Sequence, residues 1–202
     1  WNVANATNMS YMFSATRFNQ PLKSWNISNA TNMSFMFYDA IFFNQPLKSW
    51  NVSNVTDLSS MFYQTDGISK LYAQSFNQSL ESWNVSKAIS MNGMFAVTQF
   101  NQPLNNWNVS KVTNMDSMFN STPFNQLLDN WNVSKVIYMD SMFDTATNFN
   151  QPLKSWNVLK ATNMSYMFNY AENFNQSLDN WKVSKVTNME GMFMYAKNFN
   201  QP

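Results

Sequence analysis

Tryptophan recurs at a nearly fixed interval along the whole chain, and this period constrains the fold more than any other feature. Successive Trp residues lie 24 or 25 residues apart, with one interval of 33. A fixed period of about 20–50 residues is typical of solenoids, in which a single unit cannot bury its apolar face alone. The period is defined by Trp1, Trp25, Trp50, Trp83, Trp107, Trp131, Trp156 and Trp181.

The residues behind each Trp follow one order, W-N-V-x-x-V-T-N-M-x-x-M-F, then a short gap and F-N-Q-P-L. Two packed helices need a repeat of about 33 residues or more, so a shorter period predicts leucine-rich-repeat-like coils with short parallel strands and short helical turns. Apolar residues three apart also fit one amphipathic helix, but Val, Thr, Asn and Ser are only middling helix formers. We therefore expect an extended piece at Val112–Met115, a helical turn at Ser117–Phe119 and a second extended piece at Phe124–Leu128.

The whole chain, residues 1–202, is predicted to be a single solenoid of eight repeats. Neither terminal repeat has the atypical polar sequence of a cap, which predicts that the chain is a segment of a longer array. One insertion, residues 63–75, separates Phe62 from Phe76 and leaves the repeat phase intact. It is interpreted as a tolerated surface loop, or alternatively as a binding loop whose distinctive residue is Gly67.

The composition excludes several classes of function. The chain has no Cys and no His, which removes disulfides, thiolate chemistry and the usual ligands of zinc and most transition metals. A net charge of +1, with 11% charged residues, does not produce the basic field of nucleic-acid-binding proteins. Carboxylates are scattered over different repeat positions, and no phosphate-binding Gly-rich loop occurs. We therefore expect neither an enzyme nor a cofactor.

The Phe, the Asn and the Gln of F-N-Q form three sequence columns without exception among the eight repeats, and the Trp also occurs in every repeat. Trp25, Trp107 and Phe100 are predicted to be stacked core aromatics. Asn101 and Gln102 are predicted to belong to amide ladders, in which the donor of one coil meets the carbonyl of the next. The alternatives are sugar binding by exposed Trp residues, and sugar or ice binding by exposed amides.

Lysine forms a further column in the last five repeats, four residues after each Trp. Like charges one coil apart repel each other, and acids nine residues after Trp could relieve this repulsion if the coil brought the two columns together. A solvated charged face is the preferred interpretation, and an anion site the alternative. The lysines are Lys87, Lys111, Lys135, Lys160 and Lys185; the acids are Asp116, Asp140 and Glu190.

The sequence N-x-S/T, the acceptor of N-linked glycans in secreted proteins, is frequent. It suggests an extracellular or cell-surface protein, although a repeat rich in Asn, Ser and Thr also produces it by chance. The possible sites are Asn5, Asn8, Asn26, Asn29, Asn32, Asn51, Asn54, Asn77, Asn84, Asn108, Asn120, Asn132, Asn163 and Asn175.

The string W-N-V-S-x-V-T-N-M-x-x-M-F-x-x-A-x-x-F-N-Q, clearest at Trp50–Phe62 and Trp156–Gln176, resembles the BspA-like repeat family (the DUF285 type of Mycoplasma surface lipoproteins). The resemblance extends over all eight repeats. It implies a leucine-rich-repeat-like solenoid exposed on the cell surface, in adhesion or surface display, without catalytic residues. Members commonly carry Asp after Trp and after F-N-Q; this chain mostly lacks those acids, which a cation-dependent role would need.

Two functions are expected from these observations. The first is an extracellular structural protein forming a fibre or surface coat, which associates end to end or with neighbouring coils of a longer array. The second is a cell-surface adhesin or ligand-binding module, which uses an exposed polar face to bind host or matrix glycans or proteins. No nucleic-acid partner and no membrane span are expected in this segment.

Overall fold

A computed structural model describes residues 1–65 and 76–202, and within them the chain forms no helix and no strand longer than a one-residue bridge. Each repeat is joined to the next by one parallel bridge, always at the seventh residue after the Trp. The bridges are Asn8–Asn32, Asn32–Asp57, Asp57–Ser90, Ser90–Asn114, Asn114–Tyr138, Tyr138–Asn163 and Asn163–Asn188. Corresponding positions of successive repeats therefore lie side by side.

Each repeat is built almost entirely from β-turns. In the second repeat, the N–H of the last residue of each turn donates to the carbonyl of the first at 2.8–3.3 Å. The turns are Leu22–Trp25, Ile27–Ala30, Met33–Met36, Phe35–Tyr38, Phe37–Ala40 and Ala40–Phe43. A turn brings its first and fourth residues close together. Consecutive turns consequently place apolar residues three apart on one side, facing the core.

This succession of turns corrects the predicted local structure. In place of a helical turn at Ser117–Phe119, overlapping turns begin at Met115 and Ser117. The predicted strand at Val112–Met115 is reduced to its bridge at Asn114. Phe124–Leu128 contains no bridge, because the N–H of Asn125 donates to a side-chain oxygen of the preceding repeat and not to backbone. Apolar residues three positions apart occur both in helices and in series of turns, so the sequence pattern did not distinguish the two conformations.

Backbone N–H groups of the central turns alternate between two kinds of partner. Those of Met33, Phe35, Phe37 and Asp39 donate to carbonyls of the next repeat at 2.7–3.0 Å. Between them, the N–H groups of Met36 and Tyr38 donate back into their own turns, and that of Ser34 donates to the side-chain oxygen of Asn32. All of these buried groups are paired, as a stable interior requires. Direct backbone bonding sets a spacing of about 4.8 Å between repeats, much less than packed helices would allow.

Two positions in most repeats have a left-handed backbone conformation, at the tenth and fourteenth residues after Trp. In the second repeat these are Phe35, with φ of 57°, and Asp39, with φ of 53°. Each is the third residue of a turn, where type II geometry requires positive φ and favours Gly. Gly93 and Gly191 are the glycines that occupy such a position in the described chain. The bonds to the next repeat hold the other residues there despite the strain.

The core consists of stacked aromatic side chains with Met, Leu and Val between them. In each repeat the Phe of M-F lies flat against the Phe of F-N-Q, with ring centroids 3.8–4.0 Å apart. Phe62 and Phe76 form such a pair at 3.8 Å although the insertion separates them. The insertion therefore leaves the stack in register. Its residues 66–75, including Gly67, lie outside the described residues, so the surface-loop and binding-loop interpretations both stay predictions.

Candidate functional site

The tryptophan column is held by both packing and hydrogen bonds. Trp107 is 2% exposed, and its indole N–H donates to the carbonyl of Leu80 in the preceding repeat at 3.0 Å. The Trp83 and Trp107 rings stack with centroids 6.5 Å apart. Trp25 is half-buried and stacks on Trp1, while Phe100 is fully buried. In the described repeats the faces of the central Trp residues are thus occupied by protein.

The Asn-Gln column forms a ladder with two donors for each acceptor. The side-chain oxygen of Asn101 accepts the N–H of Asn125 at 2.9 Å and the Nε2 donor of Gln126 at 3.1 Å. Asn101 and Gln102 donate in the same way to Asn77. These amides are half-buried. Their acceptor oxygens therefore link one repeat to the next.

The lysine column is exposed and lies away from the acids. Lys87 donates to the side-chain oxygen of Asn54, which occupies the same repeat position, at 2.6 Å. Glu190 accepts a hydrogen bond from the Tyr166 hydroxyl, and this bond raises the pKa of Tyr166. Across residues 1–65 and 76–202 no acid forms an ion pair with the column. The condition for these acids to relieve the repulsion, that the coil brings the two columns together, is therefore not met by ion pairs among the described residues, and the exposure of the lysines fits a solvated charged face.

Two acids of neighbouring repeats interact with each other instead. Burial is the main cause that raises the pKa of Asp116 to about 7, and the side chain of Asp140 adds to it by hydrogen bonding and repulsion. Asp140 also accepts a hydrogen bond from the Nδ2 group of Asn163 at 3.0 Å. Asp116 is therefore the member of the pair whose protonation changes near neutral pH. In the described part of the chain no three acidic, His or Cys side chains are grouped to hold a metal ion.

The possible glycosylation sites divide into two groups by exposure. The Asn directly after a Trp is exposed at each possible site, and its side-chain oxygen accepts the N–H two residues later, as Asn51 does from Ser53 at 3.1 Å. The exposed sites are Asn5, Asn8, Asn26, Asn29, Asn51, Asn84, Asn108 and Asn132. The half-buried sites are Asn32, Asn54, Asn77, Asn120, Asn163 and Asn175.

Within residues 1–65 and 76–202, two of the clefts lie at equivalent places beside the Trp column. The first, of about 340 Å³, lies between the fifth and sixth repeats over Trp107. We call it the amide cleft, because its other lining residues are Asn105, Asn106, Asn108, Val109, Asn130 and Asn132. Asn105 is fully engaged: it donates to Asp129 and accepts the N–H of Asn130. The Nδ2 groups of Asn108 and Asn132 have no protein partner among the described residues.

The second cleft, of about 380 Å³, lies at the equivalent place between the seventh and eighth repeats over Trp156. We call it the lysine cleft. Lys154 stands where the amide cleft has Asn105, and Lys182 stands where it has Asn132. The other lining residues are Ser155, Asn157, Leu159 and Asn180. The amide cleft is thus lined by neutral side chains, whereas the lysine cleft, at the equivalent backbone positions, is lined by two cationic side chains.

Sequence reasoning missed both clefts and the Asp116–Asp140 pair. The repeat alignment does show that Lys182 replaces the Asn that follows every other Trp. That departure was the available signal, but only the stacking places Lys182 beside Lys154 of the preceding repeat.

The repeated contacts between equivalent positions define a repeat protein. A family model described as "Mycoplasma protein of unknown function, DUF285" matches residues 1–72, 68–136 and 97–202. These matches together cover the chain, which therefore belongs to this family, and the resemblance stated from its motifs is confirmed. No curated protein matches the chain. In the described residues, no helix has the length and apolar character needed to span a membrane.

Proposed function

We propose that this chain is an extracellular structural repeat protein, a leucine-rich-repeat-like solenoid whose stacked coils form a fibre or surface coat. In this proposal it is not an enzyme. Its partners are neighbouring coils, either of a longer array or of another copy joined end to end. The observation that carries the proposal is the uniformity of the joint between repeats.

That joint consists of the same three components in every part of the described stack. Alternate backbone N–H groups donate to the next repeat, as Met115 does to Tyr138 at 3.0 Å. The Asn column adds side-chain bonds, and the paired Phe rings repeat at centroid distances of 5.5–6.3 Å between equivalent positions. Because each repeat contacts only its neighbours, stability grows as repeats are added. A uniform joint of this kind allows further repeats to be added along one axis, as a fibre or surface coat requires.

Electron microscopy of the native protein tests this function. We expect filaments or a layered coat in which the repeats continue at about 4.8 Å, the spacing of hydrogen-bonded backbones. Discrete particles of one size, each with a single copy of the chain, would contradict a fibre or coat.

A second candidate function is a cell-surface adhesin or ligand-binding module that uses an exposed polar face to bind host or matrix glycans or proteins. The amide and lysine clefts favour it, because they present unpaired donors at the surface. Binding to immobilised glycans and matrix proteins tests this candidate. Loss of all binding in a chain that still forms filaments would leave only the structural function.

A further inference from the structure

We propose that the lysine cleft binds an oxyanion group of a glycan chain, a sulfate ester or a uronate carboxylate, through Lys154 and Lys182. This inference rests on the second candidate function, ligand binding at an exposed polar face. It adds a site and a class of ligand, and it requires neither filaments nor a coat.

The charge of the cleft is the first argument. Both lysines are exposed, and neither forms an ion pair within residues 1–65 and 76–202. Asp179 precedes Asn180 at the rim, yet it contacts neither ammonium group closely enough for an ion pair. No carboxylate lines the cleft. Lys154 and Lys182 are therefore the charged side chains among the lining residues, and an anion bound in the cleft would interact favourably with both.

The comparison with the amide cleft is the second argument. Lysine appears at two of the equivalent lining positions, on two successive repeats, where the amide cleft has Asn105 and Asn132. Both substitutions change the charge in the same direction. The backbone that surrounds the two clefts follows the same repeat pattern. The clefts therefore differ in their side chains, and so in the ligands that they can bind.

The remaining lining favours a glycan over a peptide or a free ion. Asn157 uses its side-chain oxygen to accept the N–H of Leu159 at 3.2 Å, which leaves its Nδ2 group as a donor for a hydroxyl. Asn180 is exposed, and Leu159, which is 40% exposed, lines the cleft together with Trp156. Amide groups around an apolar patch suit a sugar ring, which offers hydroxyls along its edge and C–H groups on its faces.

A binding titration with three probes tests the proposal. The probes are a dextran sulfate oligosaccharide, an unsulfated dextran of the same length and sodium sulfate. The wild-type chain is expected to bind dextran sulfate and to bind unsulfated dextran at least about tenfold more weakly, because a charge-assisted hydrogen bond increases affinity by more than about tenfold. Free sulfate should bind only at much higher concentrations. A fourth titration with poly-glutamate covers an anionic polypeptide partner.

The variant K154N/K182N gives these two positions of the lysine cleft the residues of the amide cleft, Asn105 and Asn132, so it should fold as the wild type does. It is expected to lose at least about tenfold in affinity for dextran sulfate. The matched control K111N/K135N removes two exposed lysines of other repeats and changes the net charge equally. Its affinity should stay within about twofold, because distant exposed charges are screened by salt.

Equal losses in the two double variants would overturn the proposal in favour of general charge attraction. Free sulfate that binds as tightly as dextran sulfate would replace the glycan with a simple anion. Tighter binding of poly-glutamate would replace it with an acidic protein. If all three forms of the chain bind unsulfated dextran alone, the adhesin function stands and the anionic site is wrong. Absence of binding to every probe would contradict the site and leave the fibre function intact.

Discussion

The interior and the exterior edge of this protein follow opposite rules. Inside, equivalent positions carry nearly the same side chain in each repeat, and the paired Phe rings keep their 3.8–4.0 Å separation across the described stack. Outside, equivalent positions differ in charge, as Asn105 and Lys154 do. An interior position must match two neighbours at once, whereas an exterior position contacts solvent. We infer that the repeated interior columns provide the stability, and that exterior positions at which repeats differ provide any ligand selectivity.

The largest expected effect comes from removing an interior aromatic. Trp107→Ala should lower the free energy of unfolding by about 3–5 kcal/mol, because it leaves a cavity and an unpaired Leu80 carbonyl. Urea denaturation measures the loss, and hydrogen exchange should show the fifth repeat and its neighbours opening first. Trp107→Phe retains much of the packing and should lose less. A loss below about 0.5 kcal/mol for Trp107→Ala would show that interior positions do not stabilise the chain more than exterior positions do.

The Asn ladder should have a smaller effect. Asn101→Ala removes the oxygen that accepts the Asn125 N–H and the Gln126 Nε2 donor. Leaving half-buried donors unpaired should cost about 1–2 kcal/mol in the same denaturation measurement. Asn101→Asp retains an acceptor oxygen and is the matched control. If the two variants lose equal stability, the ladder bonds are not what stabilises this position.

The Asp116–Asp140 pair, which is half-buried, should make the stability of the chain depend on pH. The pKa of Asp116 is raised to about 7 from an ordinary value of 3.8, so the folded chain holds this proton more tightly than the unfolded chain does. Its stabilising contribution is complete below pH 3.8 and is lost as the pH rises through about 7. Melting temperatures of Asp116→Asn should lack this decline, whereas the exposed control Asp179→Asn should retain it. An unchanged decline in Asp116→Asn would assign it to other groups.

The smallest effect is expected on the exterior. Lys111→Asn places in the fifth repeat the residue that the third carries as Asn54, and Lys111 is exposed. The free energy of unfolding should change by less than about 0.5 kcal/mol, as is usual for surface substitutions. A loss comparable with that of Trp107→Ala would show that the lysine column belongs to the stable framework.

The repeat, its family and the interior columns could all be recognised from the amino-acid sequence. The Trp period could be detected without coordinates because every repeat must present the same apolar residues to its neighbours. The order of F-N-Q likewise identified the side chains that join Asn77, Asn101 and Asn125 into one ladder, although the dominant donors proved to be a backbone N–H and a Gln amide.

The local conformation and the candidate site depend on contacts between repeats. Apolar residues three apart satisfy a helix or a series of turns equally well, and hydrogen bonds to a repeat 24 or 25 residues away select the turns. The same stacking places Asp116 against Asp140 and Lys154 beside Lys182, pairs that no local pattern relates. Local propensity describes a residue and its near neighbours in the chain, whereas the chemistry of this protein lies between one repeat and the next.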